Sequence, residues 1–474
     1  MHATGNPLRV YSLDDLPPEV VAVTFAKTSR SPQSFDEIAR ELTEAASSDF
    51  HEKWVVGYGH SSVAEHAFLS IAIENISTLG AKVVEGNRLS SFTEKSTRYQ
   101  VMDSANHYTP PCFDGRAAEI YADTIASLYD AYSVAYEKAR AFSDHKYSGD
   151  AWRVLGVTPR SKACDAVRGL LPAAAKTNVG WTVNARSLRH ALVKMASHPL
   201  CEIRELGKEL KRVGRDRVPT LLRHTSAAPY LDGWENRMRG ALGSALPTGG
   251  VPEPGVRLVE YDPRGEDAVL SSLLFRATGR SYDEIRETLR GVSAEAKRGL
   301  LARAIERIGD HDAVVREFEN SGYTFEIVVD FGAYRDIQRH RMATQTQQLL
   351  GCGLGYTIPD DAREAGVADG MERALDRAAV AWRELVGIDA EHAQYAVPLA
   401  CHKRFLMRMN FREAYYFVRL RSRVQGHESY RRVARAIRRE IEAVHPALGS
   451  LIPVDSVEGG EAAVTAGVEE RGVS

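Results

Sequence analysis

The chain repeats one plan twice, and this constrains its fold more than any single motif. Residues 8–38, LRVYSLDDLPPEVVAVTFAKTSRSPQSFDEI, line up with 256–285, VRLVEYDPRGEDAVLSSLLFRATGRSYDEI. Each opens with a short strand-like run, continues as an apolar helix ending at T-S-R or T-G-R, and reaches S-F-D-E-I or S-Y-D-E-I. A second anchor pairs GYGHSSVAEHAFLSIAIENIS (57–77) with IGDHDAVVREFENSGYTFEIVVDFG (308–332). In both, a G-x-H or G-D-H turn precedes a run of alternating polarity, the pattern of a half-buried strand. A third sets EGNRLSSFTEKSTRY (85–99) against QRHRMATQTQQLLGCG (338–353). The last sets NARSLRHALVKMASHPLCEIREL (184–206) against NFREAYYFVRLRSRVQGHESYRR (410–432).

Four anchors in one order predict two tandem domains, at 8–220 and 256–455. The linker region between them, 221–255, ends in the Gly- and Pro-rich ALPTGGVPEPG (245–255). The tail 456–474 is small, acidic and Gly-rich, the composition of a disordered segment. Between anchors the pattern is helical. Residues 117–142 put Ile120, Tyr121, Ile125, Leu128, Tyr129 and Tyr132 on one stripe, and 372–385 is its shorter counterpart. The tyrosines read as core and helix-contact residues. Helices segregated from a small mixed or antiparallel sheet predict an α+β fold in each half.

Composition narrows the partners. A formal charge of −2 over 474 residues gives no global attraction to nucleic acid or anionic lipid, so phosphate binding must be local. No apolar run approaches the roughly 20 residues of a membrane span. The first residues lack the basic and apolar regions of a signal peptide. The five cysteines are scattered and never spaced C-x-x-C, which predicts a reducing cytoplasm with neither a disulfide framework nor a metal site.

The anchors resemble those of the flavin-dependent (ThyX-type) thymidylate synthases, in both halves and over most of the chain. That family carries G-H-x-[ST]-x-x-E-H before a strand, R-H-R followed by S-x-R, an R-x-x-x-P turn, and a helix opening N-x-R-S-L with an arginine eleven positions after the Asn. The resemblance implies an α+β fold, a homotetramer with sites at subunit interfaces, and bound FAD. It implies conversion of dUMP to dTMP, with methylenetetrahydrofolate as carbon donor and NADPH as reductant.

Carried over by position, the resemblance divides the site between the halves. The first half keeps Ser29, His60, Ser62 and Glu65, where the family contacts the flavin nucleotide; the second has Gly279, His311, Ala313 and Arg316. The second half keeps the flavin-contacting triplet Arg339, His340 and Arg341, where the first reads Gly86, Asn87 and Arg88. Fixed positive charge there suits a reduced, anionic flavin. Nucleotide-binding Glu94, Ser96 and Arg98 stand in the first half, against Gln347, Leu349 and Gly351. Arg168 matches the arginine that holds the nucleotide, and Gln394 replaces it in the second half. Arg421 matches the arginine that polarises the uracil, a catalytic role, where the first half has Met195, which can neither donate a hydrogen bond nor carry charge.

Each half has lost what the other keeps, as division of labour after duplication requires. The reading is therefore FAD-dependent C5 methylation of a uracil nucleotide. Asp336, where the family often has Gln, with Thr346 and Leu349, leaves open the same chemistry on another pyrimidine nucleotide. A noncatalytic flavin- or nucleotide-binding homologue is a third reading. The expected partner is a small nucleotide, not nucleic acid or membrane, and the expected assembly is a homodimer, a pseudo-tetramer of four domains.

Overall fold

A computed structural model describes residues 9–13, 15–29, 31–42, 61–149, 152, 156–223, 225–242 and 250–454. Both sequence halves build strands that end on a helix cap, because a short polar side chain there takes over an orphan helical N–H. Ser77 Oγ accepts from Gly80 N at 2.8 Å to start the Thr78–Glu85 helix, and Asp330 Oδ1 accepts from Ala333 N at 2.7 Å to start Phe331–Ile337. Asn184 and Asn410 do the same for Ala185–Ala196 and Phe411–Arg421, at 2.8 and 2.9 Å. The S-F-D-E-I and S-Y-D-E-I anchors open the helices Phe35–Glu41 and Tyr282–Arg290 with capping boxes.

The chain forms two compact units that interleave in sequence. Among the described residues, one comprises those within 1–76, 87–95 and 177–247, and the other those within 77–86, 96–176 and 248–474.

In the first unit β1 (Phe68–Ser77), β2 (Ser90–Glu94) and β3 (Lys176–Asn184) lie in the order β1-β3-β2. β1 buries Leu69, Ile71 and Ile73 and exposes the residues between, as the alternation predicts. Phe92 pairs with Trp181 across β2 and β3, their rings stacked at 6.1 Å. The Ala185–Ala196 and Cys201–Arg215 helices approach closely at Gly207, where a Cβ would lie 3.0 Å from Met195 Cβ. The strand-like run expected at the start of the first anchor is not seen in its described residues. Residues 9–13 are irregular, and Arg9 and Tyr11 bond Asp36 instead, at 3.4 and 3.0 Å.

The second unit carries a four-stranded sheet in the order β4-β5-β7-β6: β4 (Gly255–Tyr261), β5 (Gly322–Asp330), β6 (Thr344–Gln347) and β7 (His402–Asn410). All its pairings are antiparallel. β5 is central and almost wholly buried, which accounts for its nearly continuous apolar run. The helix Gly115–Lys146 buries the stripe Ile120, Tyr121, Ile125, Leu128, Tyr129 and Tyr132. It packs against Pro159–Val167 and Ala368–Ile388 of the same unit.

The architecture is thus α+β. Within the expected linker region the structure adds a helix, Trp234–Leu242; the tail 456–474 and His60 lie outside the described residues. Among the described residues no helix is long and apolar enough to cross a membrane.

Candidate active site

The second unit gathers polar residues from both sequence halves around the turn after the Phe331–Ile337 helix. From the first half come Arg98, which follows β2, and Arg168, which ends the Pro159–Val167 helix. From the second come Asp336, His340 and Arg421, the last residue of the Phe411–Arg421 helix. Because each sits at a helix end or in an adjoining turn, their side chains project past the ends of regular structure toward one place.

Arg421 is the hub. Its Nε donates to His340 Nε2 at 3.0 Å and its Nη2 to the Asp336 carbonyl at 2.7 Å. Its guanidinium carbon lies 5.4 Å from the centre of the Tyr430 ring. Since His340 Nε2 accepts, Nδ1 carries the proton and donates to Glu413 Oε1 at 3.0 Å. Burial drives the His340 pKa below its usual value, and Arg421 adds to this against the opposing pull of Glu413. The imidazole is therefore neutral, with both nitrogens engaged.

Arg98 is bonded within the chain through Nε, Nη1 and Nη2. Its Nε and Nη2 meet Asp165 Oδ1 and Oδ2 at 2.8 and 2.7 Å, Nη2 also donates to the Gln425 carbonyl at 2.8 Å, and Nη1 reaches Tyr430 Oη at 3.4 Å. Burial opposes charge on Asp165, but Arg98 and Arg168 outweigh it and hold its carboxyl below the usual range. Ser96 Oγ accepts from Arg98 N at 3.2 Å and shapes the approach.

Arg168 is the opposite case. It is 4% exposed, its Nη2 has no hydrogen-bond partner, and its nearest carboxylate oxygens are Asp165 Oδ1 at 3.6 Å and Asp336 Oδ2 at 3.9 Å. A buried guanidinium with an unmet N–H costs about 1–3 kcal/mol, a cost that an anionic ligand would remove. Asp336 also stands 3.9 Å from Arg421 Nη1. Burial raises its pKa, but Arg168, Arg421, Arg339 and Arg98 together bring it below the usual value, so it is ionised. Arg339 is half-exposed and 3.8 Å from Glu85 Oε1. Arg341 follows His340 at the partly exposed turn leading to β6.

Glu413 also lines a cavity of about 440 Å³, together with Met342, Asn410, Arg412, Tyr416 and Arg423. The Tyr416 ring lies 5.7 Å from that of His340, so one face of the imidazole environment borders this cavity.

The remaining sequence-selected residues belong to the first unit. Ser29 caps the Pro18–Thr28 helix and donates to the Ala26 carbonyl at 3.0 Å. Ser62 and Glu65 lie on the 3₁₀ turn Ser61–Glu65, and Glu65 is bonded to Arg186 of the N-x-R opening. Glu94 is buried at the end of β2. The counterparts lost from each half serve packing. Met195 is core, and Gln394 is buried, its Oε1 accepting from Leu350 N at 3.0 Å. Asp165, Glu413 and Tyr430 escaped the sequence reading. Asp165 could have been found at i−3 from Arg168 and Glu413 at the N3 position of a capped helix, whereas Tyr430 gave no signal.

The description "thymidylate synthase complementing protein" (Thy1) belongs to a family model that matches residues 13–220 and again 257–447. The chain belongs to this family. Among similar proteins, a UPF0159 protein of Chlamydia muridarum is 30% identical over 94% of this chain and 91% of its own length. Another UPF0159 protein, from Thermoplasma acidophilum, is 29% identical over 87% of this chain and 89% of its own. The flavin-dependent thymidylate synthase of Clostridium tetani is 27% identical over 44% of this chain and 82% of its own. Two matches of one family model in a single chain accord with the repeated anchors, and place Arg98 and Arg168 in one matched region, His340 and Arg421 in the other.

Proposed function

We propose that this Thy1-family protein is a flavin-dependent enzyme that methylates C5 of a uracil nucleotide, dUMP to dTMP, in the cytoplasm. Methylenetetrahydrofolate and NADPH would be its cosubstrates. The convergence of Arg98 and Arg168 with His340 and Arg421 carries the reading, because residues kept separately by two degenerate repeats meet within one unit. Tandem duplication followed by complementary loss accounts for this, and a homodimer is the assembly we propose.

The donor set fits an anionic flavin and a nucleotide phosphate. Arg339 and Arg341 would hold the flavin, which when bound supplies carbon- and hydride-transfer chemistry. Arg168 supplies the unmet buried donor a phosphate needs. Arg421, oriented by its bonds to His340 and the Asp336 carbonyl, would present Nη1 to a pyrimidine carbonyl and stabilise charge developing there. Neutral His340, held by Glu413, keeps Arg421 in place without adding a competing positive charge.

Asp336 favours a second reading, the same chemistry on another pyrimidine nucleotide. An ionised carboxylate between Arg168 and Arg421 offers an acceptor to a base or sugar donor and opposes a phosphate dianion. The test is the absorbance spectrum of the purified protein together with tritium release from [5-³H]dUMP in the presence of methylenetetrahydrofolate and NADPH. A flavin band with tritium release supports the proposal. A flavin band without release, but with turnover of another pyrimidine nucleotide, supports the second reading. Colourless protein that takes up no added FAD refutes both.

A further inference from the structure

We infer that Cys352 and Cys401 form a redox-active dithiol, a modification site that a disulfide-class oxidant such as oxidised glutathione closes to an intramolecular disulfide. Both thiols are free and their Sγ atoms lie 3.5 Å apart in the second unit. Cys352 is partly exposed in the loop that continues β6, between Gly351 and Gly353. Cys401 is 1% exposed, immediately before β7.

The backbone holds the two together before any bond exists. Tyr356 bridges Cys401, His402 N donates to Gly355 O at 2.9 Å, and Thr357 N donates to Ala400 O at 3.1 Å. Lys403 Nζ donates to Gln348 O at 2.9 Å at the other end of the loop. A disulfide needs the sulfurs at about 2.05 Å, a closure that the glycine-flanked loop can make while its ends stay fastened.

The two thiols differ in role. Cys352 is accessible and attacks the oxidant as thiolate, forming a mixed disulfide and expelling one glutathione thiolate. Cys401 then gives up its proton and attacks the Cys352 sulfur, forming the Cys352–Cys401 bond and expelling the second. Two protein thiols are oxidised and one glutathione disulfide is reduced to two thiols. The Cys352 contact and burial raise the Cys401 thiol, so the more exposed Cys352 is the one that initiates.

The experiment is titration of the full-length protein with glutathione redox buffers, followed by nonreducing peptide mapping and thermal melts. The expected result is a Cys352–Cys401 linked peptide, two mass units lighter than the sum of its reduced parts. It should vanish in C352S, and the oxidised wild type should melt higher than the reduced protein because the bond closes a long chain loop. C401A, which keeps the accessible thiol, should accumulate the Cys352–glutathione adduct instead. Wild-type protein in which Cys352 stops at the glutathione adduct, or in which Cys401 stays reduced while other thiols oxidise, overturns the inference.

Discussion

Arg421 donates from Nε to His340 Nε2 at 3.0 Å, so two residues far apart in sequence set each other's orientation. The bond fixes the histidine tautomer, and Glu413 on the arginine's own helix completes the chain. Arg421 is thereby held with part of its guanidinium available to a ligand, the arrangement expected of a group that acts on developing charge.

Arg421→Ala should lower tritium release from dUMP by about 10²–10³, the scale on which a preorganised charged donor acts. Flavin content should stay near the wild-type level, and Arg421→Lys should recover little, because an ammonium cannot bond His340 and the Asp336 carbonyl in the same fork. Steady-state assays with flavin quantified in each preparation check this.

Arg98 and Arg168 should separate in opposite ways. Arg98→Ala removes the bidentate partner of buried Asp165, leaving Arg168 at 3.6 Å as its nearest cation, and should destabilise the fold by about 3–5 kcal/mol in chemical denaturation. Arg168→Met removes an unbonded Nη2 donor but also a charge beside Asp165 and Asp336, so it should destabilise the fold by less than Arg98→Ala does. Nucleotide affinity, measured by calorimetry, should nevertheless fall by at least about tenfold in Arg168→Met, the loss of one charge-assisted hydrogen bond.

The division between legible and illegible residues follows the same physics. Strand alternation, helix stripes and Asn or Ser caps are local, so the α+β plan, β1 and β5, and the 117–142 helix could be read directly. The repeat exposed Arg168 and Arg421, because each stands where its counterpart is an uncharged residue. Interleaving of the compact units is a long-range outcome with no local signature, as is the bonding of Arg98 to Asp165 and the Gln425 carbonyl. Tyr430 meets both Arg98 and Arg421 through folding alone.

Asp336→Asn should tighten dUMP binding by about tenfold at low salt, since one charge several ångströms away acts on the 1 kcal/mol scale at an effective protein dielectric. Deoxyuridine, which lacks the phosphate, should gain less. Calorimetric titration of both ligands distinguishes this from a role in reading the base, for which the two ligands would lose affinity equally.

Acid should weaken the fold before the carboxylates protonate. Burial, then Arg168, pushes His427 from 6.5 down to about 4, and burial lowers His340 as well. Both are folded-state depressions of a cationic acid, so the unfolded chain takes up protons first as pH falls through about 6.5. Stability should be level above pH 7 and decline below pH 6.5, the His427 contribution running down to about pH 4 at up to about 1.4 kcal/mol per pH unit, with His340 adding in the same direction. Denaturant midpoints across that range test it, and His427→Gln should flatten the slope.

Counting nucleotide sites tests most directly whether the two repeats share one site. Calorimetric titration of flavin-loaded protein with dUMP should give one site per chain, and both Arg168→Met and Arg421→Ala should weaken that same site with no second one left. Two sites per chain in the wild type, with one remaining at full affinity after either substitution, would contradict it.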